Sequence, residues 1–181
     1  MGTDATQIKT YNNVIDTIKC VAESHLQINA VTTGDIYDID LAKHTIFPLC
    51  HINPINTIVS KNQLTMNFQI FIMDLVQVNK YNTNTTNMNQ NIPVDNEQEV
   101  LSDTQQIAVD IISIFLHSAT LQSSGNDYNG RMITEGDFTL EPFVERFDNS
   151  LAGYVFTLPV EVMNQNQSCY IPFEADKICI K

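Results

Sequence analysis

From Leu64 to Val78 the even positions Leu64, Met66, Phe68, Ile70, Ile72, Val76 and Val78 are apolar. Asp74 alone interrupts them, and Thr65, Asn67 and Gln69 alternate with them. A period of two over so long a run describes a β-strand with one buried face, because successive side chains of a strand point to opposite sides. At Phe71, Met73 and Leu75 the odd face turns apolar too. The middle of this strand is therefore expected to be covered on both sides, by a helix or by a neighbouring subunit.

The rest of the chain can supply those layers. Asp4 with Gln7 reads as a capping box, and Ile8, Tyr11, Ile15, Ile18, Ala22 and His25 then recur at helical spacing, which predicts an amphipathic helix ending near Leu26. Ser102-Asp103-Thr104-Gln105 reads as a second capping box, continued as a helix by Ile107, Ile111, Ile114, Phe115 and Ser118 to about Ala119. Its β-branched content implies that packing, more than propensity, holds it. Ile36–Leu41 and Thr45–Ile52 offer short extended segments, which Pro48 and Pro54 restrict to edges or irregular stretches.

Ile133–Leu140 reads as a short strand. Gly153–Val162 follows, with Tyr154, Phe156, Leu158, Val160 and Val162 on one face, and Pro159 placing it at an edge or bulge. Cys169–Phe173 is expected to pair with it across the turn at 164–167. The order helix, strands, helix, strands predicts an α+β fold: a mostly antiparallel sheet with two main helices packed on one face, a single domain over residues 1–181. The isolated Gly34, Gly125, Gly130, Gly136 and Gly153 read as turn or bulge residues.

Charge narrows the partners. The chain carries 9 Lys and Arg against 21 Asp and Glu, a net −12, with no basic run. A surface that grips nucleic acid needs several Lys or Arg against phosphates, so specific DNA binding is not expected. An acidic wall that lets a duplex slide past is compatible with this balance. Nineteen residues are Asn, and they concentrate in a polar segment at 80–99 that includes Asn87, Met88 and Asn89. With so little apolar surface of its own, that loop is expected to lie against another chain. Cys20, Cys50, Cys169 and Cys179 form no C-x-x-C pair and read as reduced core thiols. No signal segment and no run of about 20 apolar residues is present, so the expectation is a cytosolic chain outside the membrane.

Reactive constellations are sparse. Asp35, Asp38 and Asp40, with Asp74 as a fourth member if the strands adjoin, are the densest carboxylates, and a metal-dependent phosphodiesterase would want such a group. A solvated strand face explains them as well, and Asp74 suits a buried or interfacial hydrogen-bonding role. His44, Cys50 and His51, with Cys20, His25 or His117 more distant, contain zinc-ligand atoms but match no paired-knuckle spacing. There is no G-x-S-x-G, Ser118, Ser123 and Ser124 lie at a helix end and in a loop, and no P-loop occurs. No catalytic residue, cofactor or metal is assigned.

In its layout the chain resembles a family of tailed-phage virion proteins, the tail-completion, tail-terminator or neck-ring subunits, including those of crAss-like phages. The resemblance is carried by Tyr11-Asn12-Asn13-Val14-Ile15, the Gly34–Asp40 segment, Phe71-Ile72-Met73-Asp74, Val100–Gln105, Asp110-Ile111-Ile112, Glu145-Arg146-Phe147-Asp148 and Ala152-Gly153. It implies a non-enzymatic structural protein, a closed homo-oligomeric ring at the head-to-tail junction or in the tail. Portal, neck or tail proteins would be its neighbours, and DNA would pass through unbound. Such a protein is assembled in the host bacterial cytoplasm and resides in the virion. A ring with rotationally closing contacts needs two different adhesive surfaces, here Phe71, Met73 and Leu75, and the segment from Pro142 through Phe143 to Phe147. Asp35, Asp38, Asp40, Asp95, Glu97 and Glu99 would then face the lumen. A capsid or fibre-adaptor protein is the alternative.

Overall fold

The computed structural model describes residues 11–35, 46–61, 63–79, 94–117, 132, 134, 136–145 and 151–163. Its centre is the strand that the alternation predicts. β3 runs Gln63–Leu75, with Met66, Phe68, Ile70 and Ile72 buried along one face. On one side lies β2 (Leu49–Val59) and on the other β7 (Leu151–Met163), both antiparallel to β3. β1 (Ala30–Thr33) adds to β2 in parallel and β6 (Glu141–Glu145) adds to β7 in antiparallel, giving the order β1-β2-β3-β7-β6. A two-residue pair, β4 (Val78–Asn79) with β5 (Val94–Asp95), stands apart from this sheet.

Two helices cover one face. α1 (Tyr11–Glu23) buries Val14, Ile18, Val21 and Ala22. α2 (Glu97–Leu116) buries Val100, Thr104, Ile107, Ala108, Ile111, Ile112 and Phe115. These meet the inward residues of β2, β3 and β7 in one apolar core, where Phe68 pairs across from Leu158 and Ile70 from Phe156. Burying each such side chain stabilises the fold by about 1.5–3 kcal/mol. The α+β class, the mostly antiparallel sheet and the two helices on one face are as the sequence predicts.

Several local expectations are corrected. α2 begins at Glu97, not at Ser102, because Val100 already belongs to its buried stripe. Ser102 is an exposed residue within the helix. Glu97 and Glu99 stand in the first turn, where carboxylates complement the helix dipole. Asn96 makes no side-chain cap, and its Oδ1 instead accepts the Gln77 N–H at 2.7 Å, tying the end of β3 to the start of α2. The polar loop expected at 80–99 is therefore already structured from Val94 onward.

β2 extends well past Ile52 and takes Pro54 into the strand, where the register with β3 shifts between Pro54 and Asn56. The Phe47–Pro48 peptide is cis. No strand occurs among the described residues of 133–140. Thr134 there is a buried residue whose hydroxyl donates to the Pro159 carbonyl. β6 reaches only Val155 of β7, so Pro159 sits past its end. Gly34 and Gly136 do take positive φ, at 130° and 106°, as turn glycines, whereas Gly153 is a strand residue. Residues 1–10, 36–45, 118–130 and 164–181, with Gly125, Gly130 and the expected Ile36–Leu41 and Cys169–Phe173 segments, lie outside the described residues.

Candidate functional site

The second face of the sheet divides into an apolar and a polar half. Leu49, Met73 and Leu151 are buried in the apolar half, with Ala30, Phe47, Phe71, Leu75 and Phe143 packed around them. Phe71 meets Phe143 edge-on, with ring centres 6.2 Å apart. The structure thus gathers Phe71, Met73, Leu75 and Phe143 into one cluster within the chain. Asn87, Met88, Asn89 and Phe147 lie outside the described residues.

Farther along the same sheet the side chains become polar. A shallow cleft of about 340 Å³ opens between β7 and the segment leading into β6, lined by Gln69, Asp137, Thr139, Glu141, Val155 and Thr157, among others. Its carboxylates, amide and hydroxyls can pair with peptide groups, but it contains no His or Cys. A smaller cleft of about 210 Å³ lies where Tyr11 stacks on Phe68, beside Pro54 and Ile55.

The residues that could have formed a metal centre are dispersed or already committed. His51, on β2, is buried between β1 and β3. Its Nε2 donates to the Gly34 carbonyl at 3.1 Å and its Nδ1 accepts from the Thr32 hydroxyl at 2.8 Å, so both ring nitrogens are occupied. Burial pushes its pKa below the usual histidine value, against the opposing pull of the Gly34 carbonyl and Asp35. Cys50, the next residue, points to the opposite face into the helix-covered core, where burial raises its thiol to about 12. Cys20 is exposed on α1, which corrects the reading of that thiol as core; Cys169 and Cys179 lie outside the described residues.

His25 approaches Asp110 of α2 at 3.3 Å, and Asp110 also accepts from Gln106. The His117 ring donates from Nδ1 to the Ser113 carbonyl at 2.7 Å. Asp74 interrupts β3 as a half-buried residue. Its Oδ1 accepts the Leu75 N–H at 2.7 Å, and burial raises its pKa, helped by Asp103. The carboxylate whose charge bears on Asp74 is thus on α2. Asp38, Asp40 and His44 lie outside the described residues.

Against this geometry stands a match to a known family. The model of the metallo-peptidase family M12B, reprolysin-like, matches residues 49–164, from the first residue of β2 to just past β7, with α2 between them. This chain of a sheet and two covering helices belongs to that reprolysin-like metallopeptidase family. No curated protein matches it.

The match overturns the resemblance to phage tail-completion, tail-terminator and neck-ring subunits, and with it the non-enzymatic ring reading. The capsid, fibre-adaptor and phosphodiesterase alternatives fit no better, and nothing supports a place in the virion. The strings that carried the resemblance are short and scattered, and those within α1, β3, α2 and β7 owe most of their apolar residues to helix and strand periodicity alone. The family match instead spans well over half the chain. Among the described residues, no helix is long and apolar enough to cross a membrane.

The family implies a zinc ion, which such peptidases hold through two histidines of a helical His-Glu-x-x-His with the glutamate as general base. The residues here do not fit it. His25, His44, His51 and His117 are the chain's four histidines, none is followed by Glu, and no two are four apart. Among the described residues no group of three or more His, Cys, Asp and Glu could hold a metal.

Proposed function

We propose that this chain acts on polypeptides as a member of the peptidase class, with extended peptide as its substrate. The observation that carries the reading is the family match across residues 49–164, which takes in four of the five strands of the main sheet and the longer helix. The polar cleft beside β7 supports it at the level of substrate, since Gln69, Asp137, Glu141 and Thr157 offer donors and acceptors to a peptide backbone.

A denatured, fluorescently quenched protein substrate tests the reading, with the purified chain incubated alone, with added zinc and with a chelator. Cleavage in any arm, at a rate proportional to the amount of chain, is the expected result. Substrate left intact in all three arms would overturn it.

A further inference from the structure

We infer that α2 is a packing helix with no place for a metal, and that the chain folds without a zinc ion held in the family's manner. The inference rests on the family membership and not on cleavage. α2 is the one helix among the described residues that falls inside the matched segment.

A His-Glu-x-x-His helix must turn both histidines to one side, four residues apart, toward a space that also admits substrate and water. The side of α2 that meets the sheet is instead filled by Val100, Thr104, Ile107, Ala108, Ile111 and Phe115, all between 0% and 4% exposed. Thr104, the one polar side chain among these, donates its hydroxyl back to the Val100 carbonyl at 2.7 Å. The stripe is close-packed against β3 and β7 and leaves no donor atom aimed into the sheet.

On its other side α2 presents Gln105, Gln106, Asp110 and Ser113, with no histidine between Glu97 and Leu116. Asp110 is engaged with His25 and Gln106. Of the histidines near α2, His117 follows its last turn with its Nδ1 donating to the helix's own Ser113 carbonyl. The burial that a zinc-binding helix would give up for ligands has gone wholly into apolar packing. Any such zinc site would have to be built by displacing core side chains.

Metal content separates this inference from the cleavage reading. The full chain is expressed in zinc-supplemented medium and purified. It is measured for metal by mass spectrometry, melted with and without 1,10-phenanthroline, and titrated with Co²⁺ as a spectroscopic stand-in. The expected result is zinc far below one ion per chain, a melting temperature the chelator leaves unmoved, and no tetrahedral Co²⁺ absorption bands. One zinc per chain that survives gel filtration, with a chelator-induced fall in melting temperature, would overturn it, as would stoichiometric Co²⁺ bands. Cleavage abolished by the chelator would uphold the peptidase reading while sinking this one, and chelator-insensitive cleavage would uphold both.

Discussion

Cys50 and His51 are neighbours on β2 whose side chains leave the strand on opposite faces, and burial sets the chemistry of each. The Cys50 thiol, pushed up to about 12, stays protonated and inert at neutral pH, since the thiolate is the reactive form. Brief alkylation of the native protein at pH 8, read by peptide mass spectrometry, should label exposed Cys20 and spare Cys50 until denaturant is added. Equal labelling of the two would contradict the packing described. His51 is held neutral, with its folded pKa below the ordinary ~6.5 of the unfolded chain. The unfolded state therefore takes up a proton first as pH falls. The stability His51 contributes is full above about 6.5 and is lost progressively below it, toward the folded value. Melting temperature measured from pH 8 to pH 5 should fall, and His51→Asn should flatten the fall. An unchanged slope in the variant would mean that His51 is not the group responsible.

Among the elements, β3 and β7 were the most legible, because a buried face and a half-exposed one write a period of two into the chain. Their partners were less so. β1 is only four residues long and shows no alternation, and its pairing with β2 is a tertiary fact. The true start of α2 was hidden because Ser102-Asp103-Thr104-Gln105 imitates a capping box in the middle of a helix. Gly153 reads from the sequence as a turn or bulge residue at the start of a strand, and in β7 what requires glycine there is close backbone approach between strands. A Cβ at 153 would lie 1.9 Å from the Ile72 carbonyl oxygen, a backbone atom that cannot rotate away. Gly153→Ala should therefore separate β7 from β3 locally and cost at least the ~1–3 kcal/mol of an overpacked core. Urea unfolding would show this as a lower midpoint, and a midpoint equal to wild type would count against the β3–β7 register.

For the whole molecule, composition and periodicity were enough for an α+β domain with helices on one face, but the candidate site could not be read from them. A reactive site is legible when a short motif fixes ligands or a nucleophile at set spacing, and none of the four histidines or the Asp35–Asp40 carboxylates stands in such a motif. Family membership here is spread over 49–164 as a pattern of many positions, each weak alone. A resemblance built on short strings therefore led to the wrong class. The central claim is that the chain acts on polypeptides, and a proteome-derived peptide library incubated with it and read for new termini by mass spectrometry tests that claim most directly. The account predicts new termini that recur at the same sequence positions in replicate digests and grow with the amount of chain. A library indistinguishable from the control without the chain, at every time and concentration, would contradict it.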